Sequence, residues 1–139
     1  LGAAKPEELE VPLQVSDQVE PLTLEEQKTL DRLHLHQEAA LGTDHCQQCF
    51  ECLPCPENIN IPEVLRLRNL TVAYDMKTFG EYRYQMFENA GHWFPGMKAN
   101  RCTDCGDCLP RCPAELNIPN LLRDTHDRLN GAPRRRLWG

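Results

Sequence analysis

The sequence has no long run of apolar residues, and because its apolar runs are only a few residues long, it predicts no membrane-spanning helix. It also lacks an excess of positive charge. The formal net charge of −6 argues against nucleic acid or an anionic membrane as the main partner. Aromatic residues are scarce, at 6% of the chain, and a hydrophobic fraction of 40% predicts a thin core. Small domains with thin cores are commonly stabilised by metals or disulfides.

No cysteine lies outside two short segments, "CQQCFECLPCP" from Cys46 and "CTDCGDCLPRCP" from Cys102. The sequence starts at Leu1 rather than Met and shows no signal-peptide pattern, so we expect a fragment or processed product with a cytoplasmic location. Disulfides are disfavoured, because no secretory signal supports an oxidising compartment and the three-residue spacing does not favour pairing between neighbours. The sequence therefore favours metal binding by these cysteines.

The two cysteine segments form an internal repeat. Residues 46–66 align with 102–123 when Arg111 is left out, and more than half of the aligned positions are identical. In both halves the cysteines are followed by "NIP", where Asn60 or Asn117 can cap a helix and the proline falls in its first turn. Each half is therefore predicted to be a cysteine loop followed by a helix.

These repeated helices are predicted over 61–75 and 118–129, with Glu63 completing a capping box at the first. Elsewhere, Thr23 with "EE" after it predicts a capped helix, and "EYRYQMFENAG" predicts a helix ending at Gly91. No segment alternates polar and apolar residues over the length of a strand. We therefore predict an all-α fold with two pseudo-repeated halves.

Three cysteines at three-residue intervals present three sulfurs on one tight loop, which suits a compact inorganic cluster. In the bacterial ferredoxin pattern C-x2-C-x2-C-x3-C-P, the fourth cysteine ligates the other of two clusters. The second motif fits this pattern, with Pro113 after Cys112. The first motif is one residue shorter before Cys55, which puts the ligation of Cys55 in question but not its identity as a ligand.

We therefore predict a crossed assignment with four thiolates for each cluster, which favours [4Fe–4S] over smaller clusters. Cluster A takes Cys46, Cys49, Cys52 and Cys112, and cluster B takes Cys102, Cys105, Cys108 and Cys55. A structural zinc domain is the alternative. Zinc sites usually place two C-x2-C pairs a dozen or more residues apart, whereas this chain groups four cysteines twice, so zinc is the weaker interpretation.

A family resemblance is carried by "CQQCFECLPCPENINIPEVLRLRN" and "GMKANRCTDCGDCLPRCPAELNIPNLLRD". These strings resemble the C-terminal iron–sulfur module of ferredoxin-like bacterial aldo/keto reductases, over roughly residues 40–130. The resemblance implies an α-helical ferredoxin fold, in which crossed ligation is usual, and a shortened first motif is typical of the module. It implies that Cys55 and Cys112 are exchanged between the two clusters.

Residues 1–39 are similar to the end of the aldo/keto reductase barrel, and 131–139 form a basic tail that we expect to be mobile. In that family the loop at Gly2–Lys5 and the next helix help to hold a nicotinamide cofactor. This sequence departs from the family there, with Glu8 and Pro12 at helix positions that are usually Gln and Asn, so it does not support NAD(P) binding. The family's catalytic Asp, Tyr, Lys and His lie in earlier strands, so the resemblance implies no catalytic residue in this chain.

Two functions follow from these motifs. The favoured one is an electron relay within an aldo/keto reductase-like oxidoreductase, whose partner is the barrel or a redox protein. The alternative is that the clusters are structural and the module serves interaction or regulation. Apolar residues beside the loops are expected to shield the clusters: Phe50, Leu53, Ile59, Ile61, Leu109, Leu116 and Ile118.

Overall fold

The computed structural model describes residues 3–131 of the chain. The predicted tail therefore lies outside the described residues, except for Gly131. The chain divides into two compact units, Leu1–His34 and Leu35–Gly139. The predicted boundary between residues 39 and 40 stays a prediction, because the division by contacts does not test which part resembles which family.

The described residues are helical, which confirms the all-α fold class. Across 3–131 there is no strand, and the only β-type pairing recorded is an isolated parallel bridge between Ile59 and Met97. None of the helices in this range has both the length and the apolar character needed to cross a bilayer. The periodicity of the sequence was therefore sufficient to assign the fold class.

The first unit contains a short 3-10 turn, Pro6–Leu9, then α1, Glu10–Ser16, and the N-terminal part of α2, Leu24–Leu41. The predicted capping box is present at the start of α2. The Thr23 N–H donates to the Glu26 carboxylate at 2.8 Å, and the Glu26 N–H donates to Thr23 Oγ1 at 3.3 Å. The hydrogen bonds that the Glu26 carboxylate accepts, first from the Thr23 backbone N–H and then from the Thr23 hydroxyl, lower the pKa of Glu26.

No residue in the described part of the first unit is buried. Its large apolar side chains are exposed, and Val19 is 92% exposed. Helical stability in proteins comes mainly from packing of an apolar face, so residues 3–34 form no core of their own. The exposed side chains are Leu9, Val11, Leu13, Val15, Val19, Leu22, Leu24, Leu30 and Leu33.

The second unit is built on three helices: α3, Ile61–Tyr74; α4, Lys77–Tyr84; and α5, Ile118–Leu129. α3 packs against both α4 and α5, and α4 also packs against α5. Between these helices lie 3-10 turns at Gly91–Trp93 and Ala99–Arg101, and another, Gly42–Asp44, follows α2. The two predicted helices of the repeat are confirmed, and α3 is only one residue shorter than expected.

Both repeated helices begin with the predicted asparagine caps. The Glu63 N–H donates to Asn60 Oδ1 at 3.4 Å, and the Asn120 N–H donates to Asn117 Oδ1 at 3.3 Å. The second half of the capping box at α3 was wrong, however. The Glu63 carboxylate binds the Arg66 guanidinium through two hydrogen bonds of 2.7 and 2.6 Å, so its side chain faces along the helix instead of back to the cap.

The helix predicted over "EYRYQMFENAG" was wrong at both ends. α4 begins before this string, at Lys77, and ends at Tyr84 rather than Gly91. Beyond it, Glu88 has a left-handed backbone with φ of 68°, and Asn89 Nδ2 donates to the Gln85 carbonyl at 2.8 Å. Asparagine side chains compete with helical hydrogen bonds in this way, which explains why the helix stops early.

Aromatic residues at the end of α4 and just after it form the core that supports the second cysteine loop. Tyr84 and Phe87 are fully buried, and their rings lie edge to face with centroids 5.8 Å apart. The Tyr84 hydroxyl is 2.8 Å from His126 Nδ1 and accepts a 2.9 Å hydrogen bond from the Ala99 N–H. Burial raises the pKa of Tyr84. Since Ala99 begins the turn that leads to Cys102, this buried hydroxyl fixes where the second loop starts.

Candidate metal centre

The two cysteine loops share one unusual backbone pattern. Each has three residues with left-handed φ at aligned positions: between its first and second cysteines, between its second and third, and after its Cys-Pro pair. Left-handed residues next to right-handed ones turn successive N–H groups to one side, and such concave nests bind anions and iron–sulfur centres. The aligned pairs are Gln48 and Asp104, Phe50 and Gly106, and Asn58 and Glu115.

The same tight turn also brings the third cysteine inward in both loops. The Leu53 N–H donates to the Phe50 carbonyl at 3.0 Å, and the Leu109 N–H donates to the Gly106 carbonyl at the same distance. Phe50 adopts φ of 66° although it carries a Cβ, whereas the second loop has glycine at φ of 81°. The repeat in sequence is therefore a repeat in loop geometry, even where the residue types differ.

The first loop borders a cavity of about 200 Å³, which we call cavity A. Its thiols are those of Cys46, Cys49 and Cys52, together with Cys112 from the second motif. The rest of its wall is apolar except for one glutamine. These other lining residues are Gln47, Phe50, Pro62, Leu65, Pro113, Ala114, Leu116 and Ile118.

The second loop borders a smaller cavity of about 20 Å³, cavity B. The cysteines that line it are Cys102, Cys105, Cys108 and, from the first motif, Cys55. The structure thus brings together the same two groups of four cysteines that the crossed assignment requires, although the ligand assignment itself stays a prediction. The other residues lining cavity B are Pro56, Glu57, Ile61, Thr103, Gly106, Arg111, Pro119 and Leu122.

The starts of α3 and α5 lie between the two cavities. In each helix, the proline and one leucine line the cavity of the helix's own loop. The first isoleucine of the helix lines the other cavity. Sequence analysis missed the prolines and leucines, although their identity in the two repeats was the signal that pointed to them. Cavity A contacts Pro62, Leu65 and Ile118, and cavity B contacts Pro119, Leu122 and Ile61.

The expected shield of apolar residues is present only in part. Phe50, Ile61, Leu116 and Ile118 line a cavity, as expected. Leu53, Ile59 and Leu109 line neither cavity, so their assignment was wrong. Ile59 is buried in the core at 2% exposure, whereas Leu109 is 42% exposed.

The cysteines follow the same order of exposure in both halves. All eight are free thiols. The second cysteine of each motif is exposed, the third is buried, and the first and fourth are intermediate. Burial, followed by the nearby Cys46 thiol, raises the pKa of Cys52 to about 11. Burial also raises the pKa of Cys46 and of Cys108. Since metals bind thiolates, metal binding at these cavities must release protons.

The donor set fits iron–sulfur clusters. Each cavity presents four thiols and otherwise mostly apolar walls, and soft thiolate ligands of this kind select iron–sulfur clusters or zinc. Over residues 3–131, no three Cys, His, Asp or Glu side chains form a group that could hold a single metal ion.

The fourth cysteines, Cys55 and Cys112, are held in different ways. The segments around them, 54–57 and 110–114, are the first and second straps. The second strap is held by its own half, since the Cys112 N–H donates to the Leu109 carbonyl at 3.2 Å. The first strap receives hydrogen bonds from the opposite half, from Arg111 at Pro54 and from Thr103 at Glu57.

The loops are also anchored differently to their helices. Asn69 of α3, which is 5% exposed, donates to the Cys46 carbonyl at 2.8 Å and so holds the first loop from inside. The second loop is held from outside, where Arg123 of α5 donates to the carboxylate of Asp104 at 2.5 Å. Both helices therefore position the loop of their own half, one through a buried amide and one through an exposed ion pair.

Comparison with known proteins identifies a family for this chain. The family model described as "4Fe-4S dicluster domain" matches residues 45–118, which is more than half of the 139 residues. The match begins one residue before Cys46 and ends at Ile118, so it contains both loops and α3. No curated protein and no solved structure matches the chain.

Proposed function

We propose that the chain, which belongs to the 4Fe-4S dicluster domain family and binds two [4Fe–4S] clusters, is the electron-relay module of an aldo/keto reductase-like oxidoreductase. The observation that carries the proposal is the pair of four-thiol cavities, both of which are lined by residues from the starts of α3 and α5. Clusters supply one-electron chemistry, and the protein controls it through burial and hydrogen bonds near sulfur.

We propose the crossed ligand sets for the two clusters. The lining of the cavities supports them, because Cys55 faces the cavity of the second loop and Cys112 faces that of the first. The exposed Cys49 and Cys105 lie at the outer side of cavities A and B, while Cys52 and Cys108 are buried. Electrons would therefore enter at one exposed cysteine and leave at the other, with the buried cysteines between.

The aldo/keto reductase partnership rests on the N-terminal unit. Residues 1–39 resemble the end of that barrel, and the described part of the first unit buries none of its apolar side chains. Side chains such as Leu13 and Val15, which are 60% and 59% exposed, favour burial against another surface. A barrel of the reductase type would supply that surface, the substrate site and the nicotinamide cofactor.

A structural role for the clusters is the second candidate. The crossed straps favour it, since Cys55 and Cys112 each join a loop to the cavity of the other half. Metal-binding energy is folding energy in small metal domains, so the clusters would hold the two halves together whether or not they carry electrons. Redox activity separates the two candidates.

The test is anaerobic purification with iron and sulfide analysis, followed by a reductive titration monitored by EPR. We expect about eight irons for each chain and two cluster signals with interacting spins. Two clusters that cannot be reduced at any accessible potential would favour the structural role. A colourless protein that contains zinc would contradict both.

The partnership has a separate test in the coding sequence upstream of Leu1. We expect a reading frame that continues through a barrel carrying the family's Asp, Tyr, Lys and His. A frame that encodes no barrel, together with an unrelated protein that reoxidises the reduced clusters, would contradict the partnership and leave the electron relay intact.

A further inference from the structure

The extra residue of the second motif reaches the place where the first motif is one residue short. Arg111 is the only residue of 102–123 without a counterpart in 46–66. Its Nη2 donates to the carbonyl of Pro54 at 3.0 Å, and its Nε donates to the carbonyl of Asp107 at 2.8 Å. The guanidinium therefore joins the second loop to the residue that precedes Cys55.

The position of Arg111 relates it to cluster B in particular. It lines cavity B together with Cys55, and it contacts no residue of cavity A's wall in the recorded hydrogen bonds of residues 3–131. Hydrogen bonds from a charged donor are about twice as strong as neutral ones. The planar guanidinium also suits two carbonyls at a fixed separation, which an ammonium group cannot match.

The other end of the first strap has a weaker contact. Thr103 Oγ1 donates to the Glu57 carboxylate at 3.3 Å, which is a long distance for a hydroxyl donor. The second strap has a local hydrogen bond at its cysteine, from the Cys112 N–H to Leu109. No corresponding bond from the Cys55 N–H is recorded in the described part of the chain, so Arg111 supplies the closest support on the N-terminal side of Cys55.

We infer that Arg111 is a positioning residue that holds Cys55 at cavity B, so that cluster B keeps its fourth ligand. The inference rests on the proposed crossed ligation. It explains the unequal lengths of the motifs in physical terms, because the residue added to one half stabilises the shorter connection in the other. Arg111 acts through the backbone of Pro54 and is not itself a ligand.

The test uses Arg111→Gln and Arg111→Lys, with Arg128→Gln as the matched control. Arg128→Gln also removes one positive charge and hydrogen bonds. Arg128, however, binds Asp124 on α5 and lines neither cavity. Each purified protein is exposed anaerobically to a limited amount of ferricyanide. Iron release and the EPR signal of three-iron clusters are followed with time, and Cys55→Ala and Cys112→Ala provide reference spectra for damage at B and at A.

We expect Arg111→Gln to lose one iron from cluster B about tenfold faster than the unsubstituted chain, the effect of one lost charged hydrogen bond. Its three-iron signal should match that of Cys55→Ala, while the signal of cluster A and the helical circular dichroism stay unchanged. Arg111→Lys should restore less than half of the difference in iron-release rate between Arg111→Gln and the unsubstituted chain. Arg128→Gln should release iron at the rate of the unsubstituted chain.

The outcomes separate this inference from the proposed function. Unchanged iron release in Arg111→Gln overturns the role of Arg111 while two intact clusters remain. Full rescue by Arg111→Lys also overturns it, because charge rather than the guanidinium fork would then be responsible. A three-iron signal that matches Cys112→Ala also overturns it, because Arg111 would then act on Cys112 instead of Cys55, and an unsubstituted chain without clusters contradicts the proposed function itself.

Discussion

The two halves of the cluster-binding unit have one backbone design and different supports. Their loops share left-handed positions, an inward turn and a capped helix, but cavity A measures about 200 Å³ and cavity B about 20 Å³. The first loop is held by a buried amide and its strap receives hydrogen bonds from the opposite half, whereas the second loop is held by an exposed ion pair and its strap has a local hydrogen bond at the Cys112 N–H. Repetition therefore sets the ligand geometry, and the non-repeated side chains make the two sites unequal.

Removing the clusters is expected to have the largest effect. Because Cys55 and Cys112 cross between the halves, chelation of iron should unfold α3 and α5 together rather than one half before the other. Hydrogen exchange measured by mass spectrometry, before and after chelation, checks this. Retained protection in one helix while the other exchanges freely would contradict the coupling of the halves.

Replacing either strap cysteine should damage the cavity of the opposite half. Cys55→Ala is expected to expose amides of the second loop, and Cys112→Ala those of the first, because each strap lines the cavity of the other loop. Each change should also convert or remove only one of the two clusters. Peptide-resolved hydrogen exchange with iron analysis is the measurement, and damage to the loop of the same half would show direct rather than crossed ligation.

The left-handed position between the second and third cysteines should respond differently in the two loops. Gly106→Ala should lower the unfolding free energy by about 1–2 kcal/mol, because its φ of 81° is strained for a residue with a Cβ. The added Cβ would meet only Leu109, at 3.9 Å, so no steric clash adds to this effect. Phe50→Gly should relieve a similar backbone strain, since φ is 66° there, but it removes part of the wall of cavity A.

Denaturant unfolding and the rate of cluster bleaching in air separate these two effects. We expect Gly106→Ala to lower the unfolding free energy, and Phe50→Gly to speed the bleaching of cluster A more than it alters stability. Equal bleaching rates for Phe50→Gly and the unsubstituted chain would show that the phenyl ring does not protect the cluster.

The helix caps should show the smallest difference between halves. Asn60→Ala and Asn117→Ala should each lower the unfolding free energy by about 1 kcal/mol, because each asparagine accepts the corresponding N–H of its helix. Asn→Ser variants, which retain a capping oxygen, are the controls. If only one of the two Asn→Ala changes lowered the unfolding free energy, the two caps would be equivalent in geometry but not in the stability they contribute.

Much of the site followed from sequence because its information is local. The intervals between cysteines define the loops, and "NIP" defines where α3 and α5 begin, since capping and proline geometry involve only neighbouring residues. The early end of α4 did not follow, because it depends on Asn89 bonding back to Gln85 in competition with the helix. The leucines lining the cavities were also missed, because in the sequence a leucine that lines a cavity cannot be distinguished from a leucine in the ordinary core.

The sequence by itself determined the all-α class, the two cysteine loops and the starts of α3 and α5, because repeats, caps and spacings act over a few residues. Only the tertiary structure decided that cavity A is larger than cavity B and that Arg111 reaches Pro54 across 57 residues of chain. Such contacts arise when α3 and α5 pack together. These contacts join side chains that are far apart along the chain, and no local sequence pattern specifies which distant residues will meet.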